Sequence, residues 1–284
     1  VAPDSVPTSG DAPESALPAS ELAAWQALQA QHVDHPEACL HLARDARVRG
    51  RPDQAARYLN LGLAGAHRQG LRTGATPLYV ELALQCRLRG DAALALHHAR
   101  GAQSVCGEHP DLLREECKAL RLLARTRELA LRLNRLAALA PGDAAVLVAL
   151  GEALLQTTSA PQAIKPLRAA FALGYRDDEV ALMLAGIELH SGEVDAAERR
   201  LRDILSTSPG HLGAQGKLWQ LLREQCQWDE AQQYEQVMLN AIRRGQVHAS
   251  LTPFMLLDSE IDGRTLRAYA EGSTRAMFAT PAAV

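Results

Sequence analysis

Residues 141–175, PGDAAVLVALGEALLQTTSAPQAIKPLRAAFALGY, decide the fold, because the next two stretches repeat their pattern. Residues 175–209 read YRDDEVALMLAGIELHSGEVDAAERRLRDILSTSP, and residues 209–243 read PGHLGAQGKLWQLLREQCQWDEAQQYEQVMLNAIR. Ala163, Ala197 and Ala231 fall 34 residues apart, as do Leu150, Leu184 and Leu218 and the turn positions Thr158, Gly192 and Cys226. Leu167 and Leu201 keep the same step, but Glu235 breaks that row. Pro141 and Pro209 stand two periods apart, with Tyr175 between them. Self-similarity at such a period marks a repeat architecture, in which each unit buries its apolar face only against its neighbours.

Each unit holds two apolar-periodic runs of about a dozen residues, the spacing of amphipathic helices, split by a turn such as SGEVD or RGRPD. Paired helices approach closely where one offers a small residue. Gly151 and Ala185 supply it on the first helix, and Ala163 and Ala197 on the second. Leu150, Leu184, Leu167 and Leu201 fill the space between. Pro141 and Pro209 close a unit, because proline cannot continue a helix interior. Upstream, Gly50 and Gly90 hold the turn position 40 residues apart, and one further step of 34 reaches Ala124. Around Ala124 the pattern fades, although Leu120, Leu123, Leu129, Leu133 and Leu136 keep a helical spacing.

The period and these residues resemble the tetratricopeptide repeat over about residues 36–240. The resemblance is strong over 141–240 and weak over 111–140. It implies an all-α, right-handed superhelix (an α-solenoid) whose concave groove, lined by first helices, takes a protein or peptide ligand. SELAAWQALQAQH adds a preceding helix with Ser20 as its N-cap. The domain reading is a disordered lead-in over 1–19, the repeat solenoid over 20–240 and C-terminal capping or linker helices over 241–284.

Composition agrees. Hydrophobic residues make up 47% of the 284 and aromatics only 4%, so Ala and Leu dominate, which suits helices better than strands. A net charge of −3 gives no reason to expect a nucleic-acid partner. No apolar run approaches a membrane span. Residues 1–20 lack the basic and apolar regions of a secretory signal, and their Pro, Ala and Ser content predicts disorder. The first residue is Val1, which suggests a processed piece of a longer product. The five cysteines (Cys39, Cys86, Cys106, Cys117 and Cys226) form no recurring metal-ligand pairs and suit a reducing, cytoplasmic setting as small hydrophobes, with Cys39, Cys86 and Cys117 on apolar faces of first helices.

No catalytic constellation is legible, and no cofactor or enzymatic activity is expected of these residues. The glycines of GLAGAHRQG and GLRTGA follow no strand and precede no Gly-Lys-Ser/Thr, so they are read as a long turn. The His32/His35 pair, the CGEH of Cys106 and His109, and the adjacent His97 and His98 provide no second pair at zinc spacing, so no metal site is expected. One row stands out. Arg47, Arg87 and Arg121 recur at steps of 40 and 34, and Arg223 returns at the equivalent place in the last unit. Such a row would form a basic stripe near the groove, able to bind an acidic peptide through bidentate guanidinium contacts. The alternative is that each arginine is solvated or paired with a nearby Glu or Asp.

The chain then changes character. Cys226 and Trp228 close the last repeat, a RRGQ turn follows, and then come Pro253, Phe254, Leu256 and Leu257 and a final LRAYA helix from Leu266 to Ala270. Thr252 and Pro253 read as the N-cap and first residue of a helix. This order of elements over 226–272 resembles the junction in bacterial relatives of O-linked N-acetylglucosamine transferases, the SPINDLY-like family. There the repeat stack runs through such a linker into a two-lobed glycosyltransferase region. The resemblance implies a substrate-recruiting module, with the catalytic half lying beyond these residues. The asparagine ladder of the eukaryotic members has no counterpart, since Asn60, Asn134 and Asn240 do not repeat in register. A free-standing tetratricopeptide adaptor in an assembly or secretion pathway is the alternative. On either reading four consecutive apolar residues cannot all face one helix neighbour. Phe254, Met255 and Leu257, with Leu266 and Tyr269, are therefore expected to form an interface for a glycosyltransferase domain or for a second copy of the chain in a homodimer.

Overall fold

The computed structural model describes residues 15–157 and 161–278, apart from the side chain of Met277, and every regular element among them is helical. In chain order these are α1 (Ala19–Gln31), α2 (Pro36–Val48), α3 (Pro52–Arg68), α4 (Thr76–Leu88), α5 (Ala92–Cys106), α6 (Pro110–Leu122), α7 (Thr126–Leu139), α8 (Ala144–Thr157), α9 (Pro161–Ala172), α10 (Asp178–His190), α11 (Val194–Thr207), α12 (Leu212–Glu224), α13 (Trp228–Arg243) and α14 (Gly263–Phe278). Short 3-10 turns span Thr73–Ala75 and Met255–Asp258. The described residues divide into two compact units, one ending with α8 and one beginning with α9. No helix among them is long and apolar enough to cross a membrane.

The helices form where the sequence supplies starts and stops. Proline opens α2, α3 and α6 at a position whose N–H has no helical partner. Three first helices are capped by histidine. Nδ1 of His35, His109 and His211 accepts the backbone N–H of Ala38, Asp111 and Ala214. Asp91 and Asp177 cap α5 and α10 in the more usual way. Ser20 is not the cap of α1: that helix starts at Ala19, behind Pro18, with no side-chain cap. The lead-in assigned to residues 1–19 lies mostly outside the described residues.

Every described turn from a first to a second helix ends on a residue at positive φ: Gly50 (69°), Gly90 (84°), Ala124 (53°), Gly192 (79°) and Cys226 (60°). The next N–H reaches back five positions, as from Arg51 to the Ala46 carbonyl and from Gln227 to the Leu222 carbonyl, both at 2.8 Å. Ala124 occupies the same conformation as the glycines, so the faded stretch over 111–140 is a full helix pair, with Leu113, Leu120, Leu129, Leu133 and Leu136 buried together.

Packing follows the repeat. Ala163, Ala197 and Ala231 are buried, and Leu150, Leu184, Leu167, Leu201 and Leu218 fill the helix interfaces. Of the glycines of GLAGAHRQG, Gly70 does lie in a turn, after α3 and at φ 66°, but the other two do not. Gly62 and Gly65 lie inside α3, where a Cβ would come within 2.8 Å of the Cys39 Cβ and within 1.9 Å of the Asp34 carbonyl oxygen. They are small because α2 and its lead-in pack against α3 at that point.

The broken position Glu235 has a partner. Where earlier units carry Gly151 and Ala185, the last carries Trp219, which is buried. Its indole N–H donates to the Glu235 carboxylate at 3.1 Å. One bulky residue with an N–H and one acceptor thus replace the small residue and leucine of the other units.

Candidate functional site

In the first unit, arginines late in one first helix pair with a carboxylate on the next. Arg47 on α2 meets Glu81 on α4 at 2.6 Å, and Arg87 on α4 meets Glu115 on α6 at 3.1 Å. Glu81 and Glu115 are buried, and Arg44 and Lys118 add cations to them. The next position in this series after Glu115 is Ala149. Arg121, the third arginine of the row, therefore has no carboxylate at the equivalent place. It is exposed and makes no ion pair among the described residues. Leu88 and Leu122, the residues after Arg87 and Arg121, are 59% and 62% exposed.

The row is thus not a continuous solvated stripe. Arg47 and Arg87 are neutralised between helices, as the paired alternative would have it. Arg223, in the second unit, lies 4.9 Å over the Trp219 ring and donates to the backbone carbonyl of Asp258 at 2.6 Å. It fastens the C-terminal extension to α12.

A second charge pattern was not legible from the sequence. Glu116 in the middle of α6 and Glu188 late in α10, both fully buried, each hold two arginines. Arg100 and Arg132 reach Glu116 at 2.7 and 3.1 Å, and Arg168 and Arg200 reach Glu188 at 2.9 and 3.0 Å. Burial works to raise the Glu188 carboxyl, but hydrogen bonds from Arg200 and Arg168 outweigh it and hold the group below the usual carboxylate range. Arg–Glu–Arg bridges of this kind fix helix register more than they add stability.

The C-terminal extension sits on glycines of α12. A Cβ at Gly213 would lie 2.5 Å from the His248 ring, and one at Gly216 would lie 2.7 Å from Leu251. Thr252 does accept the Met255 N–H, but the segment closes as the 3-10 turn Met255–Asp258 rather than as an α-helix. Side chains three apart eclipse on such a turn. Phe254 and Leu257, 80% and 60% exposed, therefore share the outer side, while Leu256 is buried with Leu218 and Leu222. Met255 and Leu266 pack partly into the same core.

Tyr269 departs from expectation. It is buried, and its hydroxyl donates to the carbonyls of Leu251 and His248 at 2.6 and 3.2 Å. It ties α14 to the preceding loop from inside, because an aromatic ring with one polar end fits where an apolar core meets backbone carbonyls. It is unavailable to an interface.

Three of the five cysteines, Cys39, Cys86 and Cys117, are buried, whereas Cys226 is exposed. Burial pushes the Cys39 thiol up to about 11 and the Cys117 thiol up to about 12, and it raises Cys86 as well. Thiols so shifted are not nucleophiles near neutral pH.

The same fold occurs in several solved structures. The crystal structure of the MamA protein matches 60% of this chain and 92% of its own, with a TM-score of 0.53 at 20% identity. That of pilF from Pseudomonas aeruginosa matches 74% and 92%, with a TM-score of 0.52 at 20% identity. A tetratricopeptide repeat protein from Parabacteroides merdae matches 84% and 99%, with a TM-score of 0.53 at 15% identity. At these identities the likeness establishes the fold, an all-α tetratricopeptide array. The chain matches no protein-family model and no curated protein.

Proposed function

We propose that the chain is a peptide-binding tetratricopeptide module whose recognition surface is the first-helix face around Arg121. The supporting observation is the interrupted ion-pair series: Arg47 and Arg87 have their carboxylates, whereas Ala149 stands where the partner of Arg121 would be. An exposed guanidinium next to the exposed Leu122 suits an extended segment carrying one carboxylate beside an apolar side chain. The carboxylate can be held bidentately by the guanidinium. Screening a peptide array against the full chain tests this. Selected peptides should carry Asp or Glu beside Leu, Ile or Phe, and Arg121→Gln should weaken them about tenfold, more at low salt. Enrichment of basic peptides, or binding indifferent to Arg121→Gln and Leu122→Ser, would remove the reading.

A second reading is that this module recruits substrates for an O-linked N-acetylglucosamine transferase-like catalytic region; the first leaves it a free-standing adaptor. What favours the second is the outward pair Phe254 and Leu257 on a segment otherwise folded onto the core, since exposed apolar groups of this size are usually covered. The coding sequence downstream of Val284 discriminates. A nucleotide-sugar-binding region there supports the transferase reading, and its absence leaves the adaptor. Sedimentation of the wild type against Phe254→Ser/Leu257→Ser tests the remaining occupant of that pair, a second copy of the chain.

A further inference from the structure

We propose that Glu179, His211 and His248 form a binding site for a divalent metal ion of the zinc class, which fastens the C-terminal extension to the last two repeats. The three residues come from separate elements: the first turn of α10, the N-cap of α12 and the extension after α13. Steps of 32 and 37 residues separate them, so no short-range spacing in the sequence flags them. Folding brings their ligating atoms within 4.8 Å of one another. Oε1 of Glu179 lies 3.0 Å from Nε2 of His248 and 3.3 Å from Nε2 of His211.

That spacing fits a metal. Ligands about 2.0–2.1 Å from a tetrahedral zinc ion stand about 3.3 Å from each other. Two imidazoles and one carboxylate suit zinc, cobalt, nickel or copper rather than magnesium or calcium. The surroundings hold the ligands in place. Both imidazoles are largely buried, and the His248 ring occupies the space that a side chain at Gly213 would take. Glu179 is on the solvent side, which leaves coordination positions for water.

The competing arrangement is a hydrogen-bonded clamp. Nδ1 of His211 accepts the Ala214 N–H at 3.2 Å, and Nδ1 of His248 accepts the Ser250 N–H at 3.1 Å. In the clamp each Nε2–H donates to Glu179. A metal needs the Nε2 lone pairs, so the ring protons move to Nδ1 and both backbone bonds are given up. Losing a cap of this kind weakens binding only about fivefold. For His248 the Ser250 hydroxyl, 2.8 Å from Nδ1, can accept the displaced proton, which is how a metal-bound imidazole is commonly oriented. The two caps together therefore shift a micromolar site to some tens of micromolar and do not abolish it.

The test uses the full chain, freed of metal by chelation and titrated with zinc chloride in a calorimeter, with cobalt(II) as a spectroscopic probe. One zinc per chain should bind in the range of some tens of micromolar, and cobalt should show visible bands of a four- or five-coordinate nitrogen–oxygen site. Glu179→Gln and His248→Gln should each weaken binding at least tenfold with an unchanged far-ultraviolet spectrum, whereas His190→Gln, on the same helix as Glu179, should not. Zinc should also slow proteolysis within 244–262 in the wild type and not in Glu179→Gln. Absence of 1:1 binding, or binding that both variants leave unchanged, overturns the site. Binding without protection of 244–262 overturns the fastening role.

Discussion

Gly90→Ala and Ala124→Gly should change stability in opposite directions, although both exchange the same two residues at the same place in the repeat. Each position closes a first-to-second helix turn, at φ 84° and 53°, 34 residues apart. In each turn the next N–H bonds back at 3.0 Å, from Asp91 to the Cys86 carbonyl and from Arg125 to the Leu120 carbonyl. The left-handed conformation costs an L-residue about 1–2 kcal/mol and glycine almost nothing. A methyl group added at Gly90 meets nothing within 4 Å, so no steric term enters. Alanine returns about 0.5–1 kcal/mol by limiting the unfolded chain. The difference leaves Gly90→Ala destabilising by about 0.5–1 kcal/mol and Ala124→Gly stabilising by a similar amount, or a few degrees of melting temperature. Urea unfolding followed by circular dichroism, with the denaturant slope checked for constancy, measures both. Because repeat arrays open locally, amide exchange across α6 and α7 should follow the same order. If Ala124→Gly instead lowers the midpoint by about 1 kcal/mol, as glycine does inside a helix, the turn is not held as described.

Ala197→Leu should overpack the contact of α11 and cost about 1–3 kcal/mol in a denaturation midpoint, because Ala197 is fully buried. An unchanged midpoint would place this residue at the surface. Glu188→Gln should cost about 1–3 kcal/mol, because Arg200 loses its carboxylate and Arg168 keeps only Glu193. The same carboxylate sets a sign for pH: its folded value lies below its unfolded one, so its stabilisation is present above the usual carboxylate range and is lost as pH falls through the folded value. Acid titration of wild type and Glu188→Gln should show that difference shrinking, and a gap that widens in acid would refute it. Tyr269→Phe removes the donor to the Leu251 and His248 carbonyls. It should lower stability by about 1–2 kcal/mol and speed exchange in α14, whereas no change in either would mean the hydroxyl is not holding the extension.

What the sequence carried by itself was whatever repeats. The 34-residue step located the buried alanines Ala163, Ala197 and Ala231, the leucines between them and the turn residues, because equivalent positions in a stacked array meet equivalent surroundings. Tertiary structure decided everything that depends on one residue meeting another far along the chain. Whether Arg87 is solvated or paired rests on Glu115, 28 residues away, and whether Arg121 is paired rests on the absence of a carboxylate at 149. Glu235 looked like a lapse in the pattern until Trp219 supplied its reason. Tyr269 looked like an interface residue until its hydroxyl found two carbonyls inside the core. Glu179, His211 and His248 carry no local signature at all. Helical periodicity reports which face of an element is buried, and repeat periodicity reports which positions are alike. Neither reports the partner of a charged or polar side chain, because that pairing is set by how helices stack and by which neighbour happens to carry the complementary group.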